Sequence, residues 1–318
     1  MILAPLLFAA LSIAFPRENE RLPFITKCYV IGAAEEGVTN VVVASTNVVP
    51  YQTGAWATRI AVSEGTNTIC ATSISPDGKT TNTLTRTFYI APQPTNQIKS
   101  AAVATTNKPA PKVWKKLEYA ADEAQQPPTN RAPKDITIYL DPGHGGPTDR
   151  GAISPHGWHE KDANLKLALA VREALTNRGF HVVMTREGDQ AINLFERARE
   201  AHEHKADAFI SVHHNAPAAD ADVAHARYAA VYSWNSIGEK LAASISMRMD
   251  EVQKAHLPSK GALHANFVVT RSPQIPSCLI EADFITHPEA EADIWNIQKR
   301  RALAEAIARG IADWCEQQ

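Results

Sequence analysis

Two stretches far apart in the chain carry metal-ligand chemistry. Asp141-Pro142-Gly143-His144-Gly145-Gly146 follows the β-branched run 136–140, and Ser211-Val212-His213-His214-Asn215 closes a second apolar run, 208–210. Each sets a histidine where a strand gives way to a loop, and open α/β sheets bind ligands at the carboxyl ends of their strands. Glu160 lies between the two, just ahead of an amphipathic segment. Histidine, glutamate and histidine, with a water in the fourth position, make a hydrolytic zinc site.

Residue types leave alternatives open. One histidine among 12 is weak evidence, but Gly143, Gly145 and Gly146 let the backbone turn tightly around His144. Asp141 is placed to orient that loop or to accept the second imidazole N–H. Side chains alternate along a strand, so only one of His213 and His214 points into a site. His156 and His159 compete near Glu160, which with Asp162 also suits a helix start. Further on, Glu281 sits in the apolar run Pro276-Ser277-Cys278-Leu279-Ile280-Glu281-Ala282-Asp283-Phe284. A carboxylate there is costly to bury unless it is paired or functional. Glu281 and Asp283 share a strand face by parity, and either fits the general acid/base of a metal hydrolase. Arg186 and Arg197 read as structural ion-pair partners.

The elements that must position these groups form an α/β pattern over residues 135–318. Strand candidates are 136–140, 181–184, 208–212, 229–232, 267–270 and 279–284. Helical patterns lie at 161–178, 194–203, 237–253 and 299–315, the first with Leu165, Leu169 and Leu175 near one face. Such alternation predicts an open, mostly parallel mixed sheet flanked by helices. Residues 24–91 read instead as a small all-β sandwich, with strands at 25–31, 41–44, 58–62, 68–74 and 83–90 separated by turn signals. Seven prolines among Asn, Thr, Ala and Gln mark 92–134 as a linker, with one short helix at 113–124. The two halves are therefore expected to be tethered rather than integrated.

Composition narrows the function classes. A net charge of -2 over 318 residues argues against a general nucleic-acid binder. No stretch from residue 15 onward is long and apolar enough to span a bilayer. Residues 1–14 are apolar and end in Ser12-Ile13-Ala14, the pattern of a secretory signal with a small-x-small cleavage site. None of the four cysteines forms a CxxC, which argues against a zinc knuckle. Cys28 and Cys70 both fall in strand-like segments, so in an exported chain a disulfide between them stays open.

The ordered set Asp141-Pro142-Gly143-His144-Gly145-Gly146, Glu160-Lys161-Asp162-Ala163-Asn164-Leu165, Thr185-Arg186 with Asp189, Leu194 with Arg197, Ser211-Val212-His213 with Asn215, and Leu279-Ile280-Glu281 resembles the zinc-dependent N-acetylmuramoyl-L-alanine amidases of cell separation and sporulation. The resemblance spans residues 136–315. It implies zinc ligands at His144, Glu160 and His213, with Glu281 as general base and acid. It implies hydrolysis of the amide between N-acetylmuramic acid and L-alanine by a zinc-activated water. The substrate would be a peptidoglycan glycan strand with its stem peptide, in the periplasm or outside the cell; an activator protein fits this family but is not required. Asp283 and His202 depart from the family pattern, and an inward Asp283 would raise the pKa of Glu281. Separately, the stretch 54–74 resembles bacterial immunoglobulin-like modules.

Overall fold

The computed structural model describes residues 10–94, 131–272 and 274–316. The start of the expected signal and most of the expected linker, including its helix at 113–124, lie outside the described residues. Among the described residues no helix is long and apolar enough to cross a membrane.

Residues 10–94 form two sheets. One is three-stranded, ordered β1 (Leu11–Phe15), β3 (Lys27–Ala34), β6 (Ala55–Ala61); the other runs β2 (Arg21–Leu22), β8 (Thr81–Ile90), β7 (Gly65–Ile74), β4 (Val41–Val43), β5 (Thr46–Val48). Their inner faces enclose one core built around Val30, Val41, Trp56, Ile69 and Phe88. The β region therefore begins earlier than residue 24. Leu11 and Ile13 are buried in that core, and β1 pairs with β3 from Leu11↔Ala34 to Phe15↔Ile31. Cleavage after Ala14 would remove most of this strand. Cys28 and Cys70 are both free: Cys28 is buried, whereas Cys70 is exposed between buried Ile69 and Ala71.

The second half is a three-layer α/β unit. Its sheet runs β10 (His181–Met184), β9 (Thr137–Pro142), β11 (Ala208–Asn215), β14 (Ser277–Phe284), β12 (Ala229–Ser233), β13 (Ser259–His264). Every neighbouring pair is parallel except β12 with β14. Helices α1 (Glu160–Thr176), α3 (Ser236–Gln253) and α5 (Ile297–Glu316) cover one face through Leu167, Val171, Leu241, Ile245, Ile307 and Trp314. Leu167 makes the central contact of α1, whereas Leu165 and Leu169 are only partly buried. Helix α2 (Leu194–Glu203) and the turn Val268–Thr270 cover the other face, where Ala201, Val269 and Ile275 meet Tyr139 and Phe209. Asn193 and Asn235 cap α2 and α3 by accepting from Phe195 N and Gly238 N. A further helix, α4 (Pro288–Trp295), follows β14.

One expected strand is absent. Residues 267–270 contain a 3-10 turn whose apolar side chains pack onto the sheet face instead of joining the ladder. The edge position belongs to β13, a mostly exposed Gly-containing strand with no apolar alternation to reveal it.

The β region packs directly on the α/β unit. Tyr29 N donates to Ala219 O at 2.9 Å, and fully buried Val223 sits against Tyr29 and Ile31. Arg59 faces Asp222 at 3.9 Å, and His156 Nε2 lies 3.2 Å from Thr53 O. Residues 216–228 thus lie against the β region.

Candidate metal centre and active site

The parallel strands β9, β11 and β14 end side by side, so residues leaving their carboxyl ends converge. His144 comes from the loop after β9, His213 from the end of β11, Glu281 from β14, and Glu160 from the first residue of α1. His213 and Glu281 are register partners. One ligand atom each from His144, Glu160 and His213 lies within 4.8 Å of the other two. Glu160 bridges the pair, with Oε2 3.2 Å from His144 Nε2 and Oε1 3.0 Å from His213 Nδ1. No other group of three or more His, Cys, Asp or Glu among the described residues could hold a metal ion.

Local backbone makes room for this cluster. His144 itself has φ 61°, a strained left-handed conformation for a residue with a Cβ. A Cβ on Gly143 would lie 2.0 Å from His213 Nε2, and one on Gly151 would lie 2.5 Å from Glu160 Oε2. Both glycines are needed for close approach.

Supporting contacts fix each group. His144 Nδ1 bonds Asp149 Oδ1 at 2.5 Å, which directs Nε2 toward Glu160. Asp141, expected for that role, is instead fully buried and accepts from Arg197 (2.6 Å), Thr185 (2.7 Å) and Ser211 (2.7 Å). Arg197 also donates to His144 O at 2.9 Å, and Arg186 donates to Pro142 O and Gly143 O, both at 2.9 Å. Both arginines therefore hold the loop. Asn164 Nδ2 donates to Glu160 Oε1 at 3.2 Å, while its Oδ1 meets His214 Nδ1 at 2.8 Å. His214 points to the other face, beneath α1; burial lowers its pKa to about 4, so the ring is neutral. His156 pairs with Glu291 at 2.6 Å, and His159 is the N-cap position of α1; neither joins the cluster.

Electrostatics separate the two glutamates. Burial opposes ionisation of Glu160, but hydrogen bonds from His144 and His213 overcome it and hold the carboxyl well below the usual range. Burial likewise opposes a charge on His144, yet Glu160 and Asp149 raise its pKa to about 9. Glu281 receives no hydrogen bond in return: burial and the nearby Glu160 carboxylate push it well above the carboxylate range, against a smaller opposing pull from His144. Its Oε2 is enclosed and has no hydrogen-bond partner among the described residues. Glu281 lines the same cavity as the cluster, a cleft of about 520 Å³ that also touches Asn266 and Phe267. Three donors that could hold a cation, an unpartnered carboxylate beside them and a cleft in front suit metal-assisted hydrolysis.

Asp283 does not enter the cleft. The register passes from His213↔Glu281 to Asn215↔Phe284, so β14 carries one extra residue there. This bulge breaks the parity and leaves Asp283 buried against Arg227, which bonds its Oδ2 at 2.8 Å. His202, the other departure, bonds Ser272 Oγ at 3.2 Å.

Asp149 and Asn164 had no role at the level of sequence. Asp149 follows His144 by five residues in a polar loop, and only the antiparallel bridge Gly145↔Asp149 folds it back. Asn164 stands one helical turn after Glu160, a spacing that could have flagged it.

The protein-family model described as N-acetylmuramoyl-L-alanine amidase matches residues 138–313. The chain is 33% identical to N-acetylmuramoyl-L-alanine amidase AmiA of Salmonella typhimurium over 232 residues, covering 59% of this chain and 79% of that protein. It is 35% identical to the probable cell wall amidase LytH of Staphylococcus epidermidis, over 57% of this chain and 59% of that one. Among solved structures, the amidase AmiC2 of Nostoc punctiforme superposes with a TM-score of 0.53 at 31% identity, covering 56% of this chain and 96% of that one. An N-acetylmuramoyl-L-alanine amidase of Clostridium difficile gives 0.52 at 32% identity, over 56% and 96%.

Proposed function

The chain belongs to the N-acetylmuramoyl-L-alanine amidase family, and from that premise we propose that His144, Glu160 and His213 hold zinc and that Glu281 is the general base and acid. The convergence of those three donors within 4.8 Å carries the reading. The donor set fits the metal: two imidazoles and one carboxylate leave a fourth position for water, as in catalytic zinc sites. Zinc bound there would supply Lewis acidity, lowering the pKa of water and stabilising charge on the carbonyl oxygen.

The remaining steps belong to the chain. Glu281 takes the proton of the attacking water as that water adds to the lactyl carbonyl of N-acetylmuramic acid. It then returns the proton to the departing amine of L-alanine. Asp149 keeps His144 in one tautomer and orientation, and Asn164 orients the Glu160 carboxylate. The products are a glycan strand and a free stem peptide.

The substrate sets the location: the enzyme works in the periplasm or outside the cell. Residues 10–91 are an immunoglobulin-like module in this reading, 92–134 a connecting segment and 135–318 the catalytic domain. Two measurements test the proposal. Metal analysis should find about one zinc per chain, reduced in His144→Ala. Mass spectrometry of digested sacculi should find free L-alanine amino termini and peptide-free glycan. Other new chain ends would replace this reading by another wall amide.

A further inference from the structure

Beside the zinc cleft lies a polar groove of about 480 Å³, bounded by Arg17 of the β region and by Pro147, Thr148, Asp149, Arg150 and Gly151 of the catalytic half. Asp149 lines both the groove and the cleft, so the two adjoin at that residue. We propose that Arg17 and Arg150 form an anion subsite that reads a free carboxylate of the stem peptide, a proposal that rests on the amidase reading.

Neither guanidinium is ion-paired, although Glu20 Oε2 accepts from the Arg17 backbone N at 2.7 Å. Among the described residues, neither guanidinium has a carboxylate within 4.0 Å, whereas Arg59, Arg86, Arg172, Arg178, Arg197 and Arg227 each have one. Asp149, the one acid in the groove wall, is engaged by His144. Guanidinium groups suit carboxylates because two N–H donors match two oxygens.

The groove is also built rigidly. Arg150 Nε donates to Pro147 O at 2.8 Å, which fixes the side chain and leaves both terminal nitrogens available. Its backbone is tied to the start of α1, with Lys161 N donating to Arg150 O at 3.3 Å and Ala152 N to Glu160 Oε2 at 2.9 Å. Arg17 is held by a turn in which Glu20 N donates to Arg17 O at 3.1 Å and Asn19 N to Thr87 O of β8 at 2.8 Å, and the β region is held against the catalytic half at Tyr29 and Ala219. Each wall is therefore anchored to its own half, and the halves are anchored to each other. A stem peptide released at the zinc cleft carries at least its C-terminal carboxylate, an anion that this groove would meet. The β region thereby contributes directly to substrate choice.

The test uses the full-length zinc enzyme with two substrates, N-acetylmuramoyl-L-alanyl-D-isoglutamate and its diamide, in which both glutamyl carboxyls are neutral. Arg17→Gln and Arg150→Gln should each raise KM for the free acid about three- to tenfold, with kcat unchanged. KM for the diamide should stay within about twofold, and Arg17→Lys should retain most of the effect of arginine. Equal losses on both substrates, or no loss on either, would overturn the subsite. A second readout needs no catalysis: the metal-stripped full chain is titrated calorimetrically with the free peptide L-alanyl-D-isoglutamate. Binding should weaken in both glutamine variants; unchanged binding overturns the subsite, and equal displacement by inorganic phosphate overturns its peptide assignment. A wild type that binds this peptide yet cleaves neither substrate would leave the subsite standing and overturn the amidase reading instead.

Discussion

Glu281 and Asp283 stand two residues apart on β14, and the fold treats them in opposite ways. Asp283 is buried and closed off. Arg227, with 7% of its side chain exposed, reaches Asp283 and Glu289 at 2.8 Å and Asp293 at 3.0 Å. Glu281 faces the cleft with an enclosed Oε2 that nothing among the described residues satisfies. Burial raises both pKa values, but only for Asp283 does a guanidinium pull the other way. A structural ion cluster is saturated by its own protein, whereas a reactive one keeps valence for something outside it. The same contrast separates Asp141, gripped by Arg197, Thr185 and Ser211, from the Glu160 carboxylate shared by two imidazoles.

Breaking the closed cluster should give the largest effect, and it should be on stability. Arg227→Leu leaves Asp283 buried without its cation and should cost roughly 3–5 kcal/mol in urea unfolding. Retained stability would show that the cluster is not closed as described. Asp283→Asn should lower stability less and leave kcat of the folded enzyme near wild type.

The open site should respond in activity instead. Glu281→Gln keeps the shape and removes the proton acceptor, so turnover should fall roughly 100-fold or more, about 2.7 kcal/mol of barrier. Zinc content and melting temperature should hold. Loss of zinc together with activity would mean that Glu281 is a ligand rather than the base.

Supports of the open site should matter less. Asp149→Ala removes the acceptor on His144 Nδ1 and should weaken zinc about 10- to 100-fold, measured by competition with a chelator. The same competition run against pH sharpens the point. In the metal-free protein His144 stays protonated up to about pH 9. Its proton must leave before Nε2 can bind a metal, so apparent affinity should rise with pH up to about 9 and flatten above it. An affinity independent of pH between 6 and 9 would be inconsistent with His144 as a ligand.

The smallest effect is expected at His225. It is 84% exposed and pairs with Asp222 at 3.2 Å, in the segment that lies along the β region. His225→Ala should leave kcat/KM within about twofold. A large rise would identify that segment as a cover over the zinc cleft.

Much of this was legible in the residues themselves. His144, Glu160 and Glu281 stand out because glycines, a helix start and an apolar run mark their settings locally, and strand ends are encoded by short-range patterns. Alternating strand and helix patterns likewise specify the sheet class, since a parallel sheet needs crossover connections. The tertiary structure decided what depends on register and on distant partners. His213 rather than His214 faces Glu160 because β11 lies in register between β9 and β14. The extra residue in β14 turns Asp283 away from Glu281, which no parity rule foresees. Asp149 replaces Asp141 beside His144 because a loop folds back on itself, while buried Arg197 occupies the expected acid. The β region rests on the catalytic half through Val223 and Ala219, which as a valine and an alanine in a polar loop carry no sign of their partners. Local chemistry nominates residues from their neighbours in sequence; only packing between segments far apart in the chain supplies the atoms they meet.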